Sequence, residues 1–273
     1  MPEGPEIRLA ADKIAKILVD QPLQRIEFTI PALRNRSEEL DGARITAIDT
    51  RGKAMLTRFD NGLVLYSHNQ LYGRWYTSKL PKLPRTTRSL RVVFDTPTHT
   101  ARLYSATDVS LMHESELYLH PFLRNVGPDV LDDSLSSDSI VERLSSDRFR
   151  RRSLGALYLD QKFLAGIGNY LRSEILWSAR VSPAKRPADL DRRQLGRLAR
   201  DTLKICRRAY RTRGVTVTAT LAKRLKARGL RYAKYRHYVF TRDREACYAC
   251  GEEIRRIDVG GRQFYQCPAC QPD

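Results

Sequence analysis

The chain has 273 residues, 49 of them Lys or Arg against 31 Asp or Glu, for a formal net charge of +18 and a pI near 10.0. That length accommodates about two folded domains with a core in each, and the charge excess points to a polyanionic partner, with nucleic acid first. No stretch has the uninterrupted apolar length needed to cross a bilayer, and no basic region followed by an apolar block opens the chain, so the expectation is a cytoplasmic protein with no membrane partner.

The chain begins Met1-Pro2-Glu3-Gly4-Pro5-Glu6. Over residues 5–19, Ile7, Ala10, Ala11, Ile14 and Leu18 recur at helical spacing with Arg8, Asp12, Lys13 and Lys16 off the stripe, which predicts one amphipathic helix. Short alternating runs at 23–30, 45–50, 54–59, 63–68, 90–95 and 102–106 then predict antiparallel strands. Asp60-Asn61-Gly62 between two of them is a hairpin signal, because Asn and Gly accept the positive φ of a tight turn. From His120-Pro121 to Gly127-Pro128 the strands stop, and Ser, Asp and Pro up to residue 139 read as a linker. Beyond it, residues 154–164, 170–179 and 192–210 have helical periodicity. Arginine clusters at 148–152, 192–200, 207–213 and 223–236 weight the charge, and with it the expected phosphate contacts, toward the second half.

Loss of Met1 would leave Pro2 as a terminal secondary amine titrating near about pH 8. Such an amine attacks an aldehyde-like sugar carbon and gives an iminium directly, with Glu3 beside it to give or take a proton. The competing reading is that Pro2 and Pro5 only start a helix. Lys53, in Arg51-Gly52-Lys53-Ala54, sits on a Gly-flanked bend where it could hold a phosphate or act on a sugar oxygen, or be a surface lysine. His68-Asn69-Gln70-Leu71-Tyr72-Gly73 follows a strand, and its amide, apolar and aromatic groups suit either a probe that enters a duplex or a packed hairpin end. In Phe163 to Tyr170, Gly166 and Gly168 allow a tight turn and Asn169 could cap the next helix; that helix start is a phosphate site or a plain glycine-rich connection.

Cys247-Tyr-Ala-Cys250, sixteen residues, then Cys267-Pro-Ala-Cys270 is the spacing of a closed four-thiolate zinc site, structural because no position is left open. A disulfide pair is the alternative, disfavoured by a reducing compartment. Arg255, Arg256 and Arg262 lie on the intervening hairpin and are available to phosphate. Cys206, on the apolar side of a helix, reads as a core residue.

In their order and joint presence, the amino-terminal Pro2-Glu3-Gly4-Pro5-Glu6, Thr50-Arg51-Gly52-Lys53-Ala54, Ser67 to Gly73, Val126-Gly127-Pro128-Asp129, the Phe163 to Tyr170 turn and the four cysteines resemble the formamidopyrimidine-DNA glycosylase and endonuclease VIII family from end to end. The resemblance implies an α+β multidomain chain: an antiparallel β-sandwich with a leading helix over 1–125, a helical helix-two-turns-helix domain over 130–236, and a four-cysteine finger with a β-hairpin over 238–273. It implies a bifunctional DNA glycosylase and AP lyase of base excision repair that removes oxidised pyrimidines and cuts the strand by β,δ-elimination. Pro2 would be the Schiff-base nucleophile, Glu3 the proton donor to the opening ribose, Lys53 an aid at the sugar-phosphate and Arg262 a residue of the δ step. Gln70, Leu71 and Tyr72 would fill the emptied stack, and Asn169 would bind phosphate. One departure is Asn125 before Val126-Gly127-Pro128, where close relatives carry a DNA-contacting arginine; here Arg124 precedes it. The expected partner is double-stranded DNA with a damaged base or an abasic site, bound by a monomer with one structural zinc, associated with the bacterial nucleoid. The alternatives are a purine-lesion glycosylase, disfavoured by the absence of a Met-containing loop at 69–72, and a non-catalytic zinc-finger DNA-binding protein.

Overall fold

Ile7, Ala11, Ile14 and Leu18 are all buried on one face of helix α1 (Gly4–Leu18), as their spacing of three and four residues requires. The computed structural model describes residues 2–272 and divides into two compact units, one of residue 2 with 6–125 and one of residues 3–5 with 126–272.

The first unit has two four-stranded antiparallel sheets. One runs β1 (Arg25–Phe28), β6 (Leu90–Asp95), β7 (His99–Tyr104), β5 (Arg74–Lys79), and the other runs β2 (Ile45–Arg51), β3 (Ala54–Phe59), β4 (Leu63–His68), β8 (Asp108–His113). Their apolar faces share one core with α1, in which Phe94 is met edge-on by Phe28 and Phe59 and stacks on Trp75 with ring centres 6.2 Å apart. Burying each such side chain contributes about 2 kcal/mol. Gly52-Lys53 is the whole connection between β2 and β3, with Gly52 at φ +62° and Arg51 paired to Ala54. Asp60-Asn61-Gly62 turns β3 into β4, with Asn61 Oδ1 accepting the Leu63 amide at 3.1 Å.

In the second unit, α2 (Ser137–Ser145), α3 (Leu154–Leu157), α4 (Asn169–Ala179) and α5 (Arg192–Arg211) enclose a core that includes Val130, Ile140, Leu157, Leu164, Leu171, Ile175, Leu198 and Cys206. Helices α6 (Ala219–Ala227) and α7 (Tyr232–Tyr235) bury a small cluster of Val217, Leu221, Leu225 and Tyr235. The hairpin β9 (Arg255–Asp258) and β10 (Gln263–Gln266) follows, its four-residue connection closed by the Val259 amide on the Arg262 carbonyl, with Gly260 and Gly261 at its tip both at positive φ.

Four expectations are corrected. Residues 74–79 and 108–113 are strands although no alternation predicts them, because each lies at a sheet edge and buries a single side chain, Trp75 or Leu111. The strand expected at 102–106 begins earlier, at His99, where Thr96 and His99 close the turn. Residues 137–139 are not linker: Ser136 caps α2 by accepting the Ser139 amide at 3.0 Å, and Ile140 and Leu144 supply the buried face. The helix expected over 154–164 stops at Leu157, since Asp160 accepts the Lys162 amide at 2.8 Å and folds the chain into turns.

Candidate functional site

Helix α4 starts with amide groups that have no partner within the helix. Glu3, 4% exposed, supplies one: its carboxylate accepts the Gly168 amide at 2.7 Å, that of Tyr170 at 2.8 Å and that of Leu171 at 3.2 Å. The helix dipole favours a negative charge there. Glycines make the approach possible. A Cβ on Gly168 would sit 2.7 Å from Glu3 Cγ, and one on Gly4 would sit 2.9 Å from the Cα of Gly166, whose carbonyl accepts the Gly4 amide at 2.8 Å. Asn169 therefore does not cap α4 as expected. The cap position is Gly168, Asn169 is the first helical residue, and the anion at the helix start is the chain's own carboxylate.

The Asn169 side chain instead reaches the hairpin, donating to the Gln263 carbonyl at 2.6 Å and accepting from Arg172 at 2.6 Å. Arg172, fully buried one turn along α4, also donates to the Gly155 carbonyl at 2.8 Å and the Val259 carbonyl at 3.3 Å, and its guanidinium lies over the Phe264 ring. Burial pulls its pKa down to about 10; Arg262 adds to the fall, while Glu3 and Asp258 oppose it. Arg262 is exposed, next to the two-glycine turn, and its carbonyl accepts the Val259 amide at 2.9 Å. The second unit thus carries Glu3 and Asn169 at the α4 start, and Arg172 ties Asn169 to the Arg262 hairpin.

The sulfurs of Cys247, Cys250, Cys267 and Cys270 lie within 4.8 Å of one another, with separations of 3.3 Å for Cys250–Cys267, 3.4 Å for Cys250–Cys270 and 3.9 Å for Cys247–Cys270. Four soft donors converging on one point can bind a metal ion. Burial pushes the Cys267 thiol up to about 11 and raises that of Cys270, while against burial the amides of Ala249 and Cys250 bring Cys247 down to about 7, so holding all four as thiolates calls for a cation at their centre.

In the first unit the pairing of Ala54 with His68 sets the Lys53 turn and the 69–73 loop at the same end of the sheet. Burial lowers the His68 pKa, Asp108 opposes the fall and the Lys53 ammonium adds to it, so this end sets one ammonium beside an imidazole held toward its neutral form. Gln70 has φ +46°, its amide donates to His68 Nδ1 at 3.1 Å, and its side-chain oxygen accepts from the Thr107 hydroxyl at 3.0 Å. The loop is closed by the Gly73 amide on the Asn69 carbonyl at 2.7 Å and by Arg88 on the Tyr72 carbonyl at 2.6 Å. Leu71 and Tyr72 are left 62% and 69% exposed. Asn125 is exposed and donates to the Pro121 carbonyl at 2.9 Å within its own turn. Pro2 is half-buried; Met1, whose loss the terminal amine depends on, lies outside the described residues.

Sequence reading passed over Arg172 and Glu174. Arg172 sits three residues after Asn169, on the same helical face, and that spacing is the signal that could have found it. Glu174 is wholly buried, and its carboxylate accepts the amides of Tyr238, Val239 and Phe240 at 2.8, 2.8 and 3.0 Å and the Thr216 hydroxyl. Burial raises its pKa against those donors. It pins the segment before the finger to α4.

The chain matches the family model of the formamidopyrimidine-DNA glycosylase N-terminal domain over residues 1–109 and that of the formamidopyrimidine-DNA glycosylase H2TH domain over 126–220. It is 46% identical to Endonuclease 8 of Escherichia coli and to Endonuclease 8 of Shigella flexneri over 271 residues, 99% of this chain and the whole of each relative. Its fold is that of Lactococcus lactis Fpg, solved with DNA containing an oxidised pyrimidine and with DNA containing an abasic site: both superpose with a TM-score of 0.81, at 23% and 22% identity, over 100% and 99% of this chain and all of theirs. With both domain models matched in order and an endonuclease 8 similar from end to end, the chain belongs to the formamidopyrimidine-DNA glycosylase and endonuclease VIII family, whose members are DNA glycosylases with AP lyase activity.

Proposed function

We propose that this DNA glycosylase and AP lyase removes oxidised pyrimidines through the amine of Pro2. The observation that carries the reading is the fixed Glu3 carboxylate, held by three amides of the α4 start immediately beside Pro2 in the chain. With Met1 gone, the Pro2 nitrogen attacks C1′ of the damaged nucleotide, the bond from C1′ to the base breaks, and the ribose opens to an iminium while Glu3 serves the proton transfer at the sugar oxygen. The iminium draws electrons from the sugar, so the 3′ phosphate leaves by β-elimination and the 5′ phosphate by δ-elimination. Lys53 assists at the sugar-phosphate, and Arg262 on the hairpin assists the second step. Gln70, Leu71 and Tyr72 occupy the stack that the flipped base leaves, which suits the exposure of the two large side chains. Asn169 holds phosphate beside the hairpin, and Asn125 takes the position of the arginine found in relatives. The names of the endonuclease 8 relatives support the pyrimidine branch.

The metal is zinc in a structural role, in a protein working as a monomer in the cytoplasm. Four thiolates at about 2.3 Å from a tetrahedral ion stand about 3.8 Å apart, close to the 3.3 to 3.9 Å of three of these sulfur pairs. When bound, the ion holds the base of the finger. The working divisions are 1–125 for catalysis, 130–236 for the helix-two-turns-helix and 238–273 for the finger.

Borohydride trapping on a duplex with thymine glycol should give a covalent adduct at Pro2 that Pro2→Gly does not form there. An adduct elsewhere, or a retained Met1 in active protein, refutes the nucleophile, and faster excision of 8-oxoguanine than of thymine glycol refutes the pyrimidine assignment.

A further inference from the structure

Between Thr202 and Arg242 the chain carries thirteen Lys and Arg residues and no Asp or Glu, so this stretch accounts for thirteen of the net eighteen positive charges. A basic surface that served only solubility would mix the two signs. The charge begins on α5, which has eight cations and one acid, Asp201. Its seven buried side chains, among them Leu198, Thr202, Leu203, Ile205 and Cys206, face α4 and α2. Arg193, Arg197, Arg200, Lys204 and Arg211 are exposed at steps of three, four and seven residues, which places them in one stripe on the opposite face. Among the described residues the only ion pair on this helix joins Lys204 to Asp201 at 3.7 Å. At its end the stripe runs into a cavity of about 750 Å3 whose lining includes Arg208, Arg211, Arg213, Lys223 and Lys226 and no acidic residue.

We infer that the outer face of α5, continued by this basic cavity, is a second DNA-binding surface, which holds the phosphate backbone of a duplex segment other than the one under repair. From Arg193 to Arg211 the helix rises about 27 Å, and over that length one DNA strand presents about eight phosphates. The stripe points away from α4, whose start carries Glu3 and Asn169. A duplex is stiff over about 150 base pairs, so one segment reaching both places would have to bend around the helical unit, whereas a second segment needs no bend. A membrane fits less well, because none of the exposed large apolar side chains is on α5 to enter a lipid surface and only Tyr232 among them lines the cavity. Holding a second segment would let the enzyme pass between DNA segments without release into solution.

The test loads wild-type protein with an unlabelled short duplex containing an abasic-site analogue, confirms saturation, and then titrates a fluorescent undamaged duplex. The loaded protein should take up the second duplex. A variant with Arg193→Gln, Arg197→Gln, Arg200→Gln and Lys204→Gln should lose about tenfold or more of that affinity, with the slope of log affinity against log salt shallower by about 3. Its single-turnover excision on a short lesion duplex should be unchanged. Arg193→Lys, Arg197→Lys and Arg200→Lys together should retain second-duplex binding, which a structural role of the guanidinium groups would not allow. The inference is overturned if the loaded wild type takes up no second duplex, if the glutamine variant does so with the same slope, if anionic phosphatidylserine vesicles displace the second duplex while neutral vesicles do not, or if lesion binding falls in parallel with second-duplex binding.

Discussion

Glu3 Oε2 accepts the amide of Gly168 at 2.7 Å across 165 residues of sequence, and the side chain that Gly168 lacks is the space the carboxylate fills. A methyl group there would overlap the Glu3 side chain and drive it off the α4 start. Gly168→Ala should therefore reduce base excision by about two orders of magnitude, the scale of one positioned proton-transfer group. Cleavage of a pre-formed abasic site should fall much less, because the sugar there is already open. Parallel assays on a lesion duplex and an abasic duplex check this; equal losses would show that Gly168 serves folding and not Glu3.

Leu71 and Tyr72 are too exposed to stabilise the first unit. Leu71→Ala and Tyr72→Ala should each leave unfolding free energy within about 0.5 kcal/mol of wild type. Affinity for an abasic-site duplex should weaken by about 1–3 kcal/mol for Tyr72→Ala, the range for loss of an aromatic stacked on a base. Denaturant melts beside fluorescence titrations separate the two effects.

Arg172 offers its fork to four acceptors, the carbonyls of Gly155, Val259 and Gln263 and the Asn169 side chain. Lysine keeps the charge but has no planar fork. Arg172→Lys should cost about 2–4 kcal/mol by leaving buried acceptors unpaired, and hydrogen exchange should rise first in residues 255–266. Uniform exchange across the second unit would place the loss elsewhere.

His237 is 2% exposed, and burial, with Arg236 adding to it, holds its pKa at about 3 against an ordinary value of 6.5. The folded state therefore keeps the ring neutral while the unfolded chain protonates it as pH drops. Stability from this group is fully present above pH 6.5 and is lost as pH falls toward 3, at about 1.4 kcal/mol per pH unit. Denaturation of wild type and His237→Gln at pH 7 and pH 5 measures it: the variant should start lower and lose less, and identical slopes would assign the acid sensitivity to other groups.

The strands at 54–59, 63–68 and 90–95 were legible residue for residue, because Val, Leu, Tyr and Phe run between turn residues and each of these strands is flanked on both sides in its sheet. The two that alternation missed, Arg74–Lys79 and Asp108–His113, are outer strands, held by one neighbour and burying too little to leave a period in the residues. The family could be read from the order of its motifs, and the clustering of the four cysteines from their spacing. What could not be read was the partner of each polar group. Asn169 looked like a cap because it stands at a helix start, and nothing local says that a carboxylate from the other end of the sequence occupies those amides. The fully buried Arg172 and Glu174 were illegible for the same reason, since charged residues on a helix read as solvent-facing until the fold closes over them.

The hairpin that presents Arg262 has only four residues in each strand, too few to persist alone in water. It works as a lever clamped at two points, the thiol cluster beyond β10 on one side and the Arg172 fork near the tip on the other. Loosening either clamp would leave Arg262 chemically intact and its aim undefined, so under the role proposed for Arg262 damage to a cysteine and damage to a helix arginine should converge on the same late defect in strand cleavage.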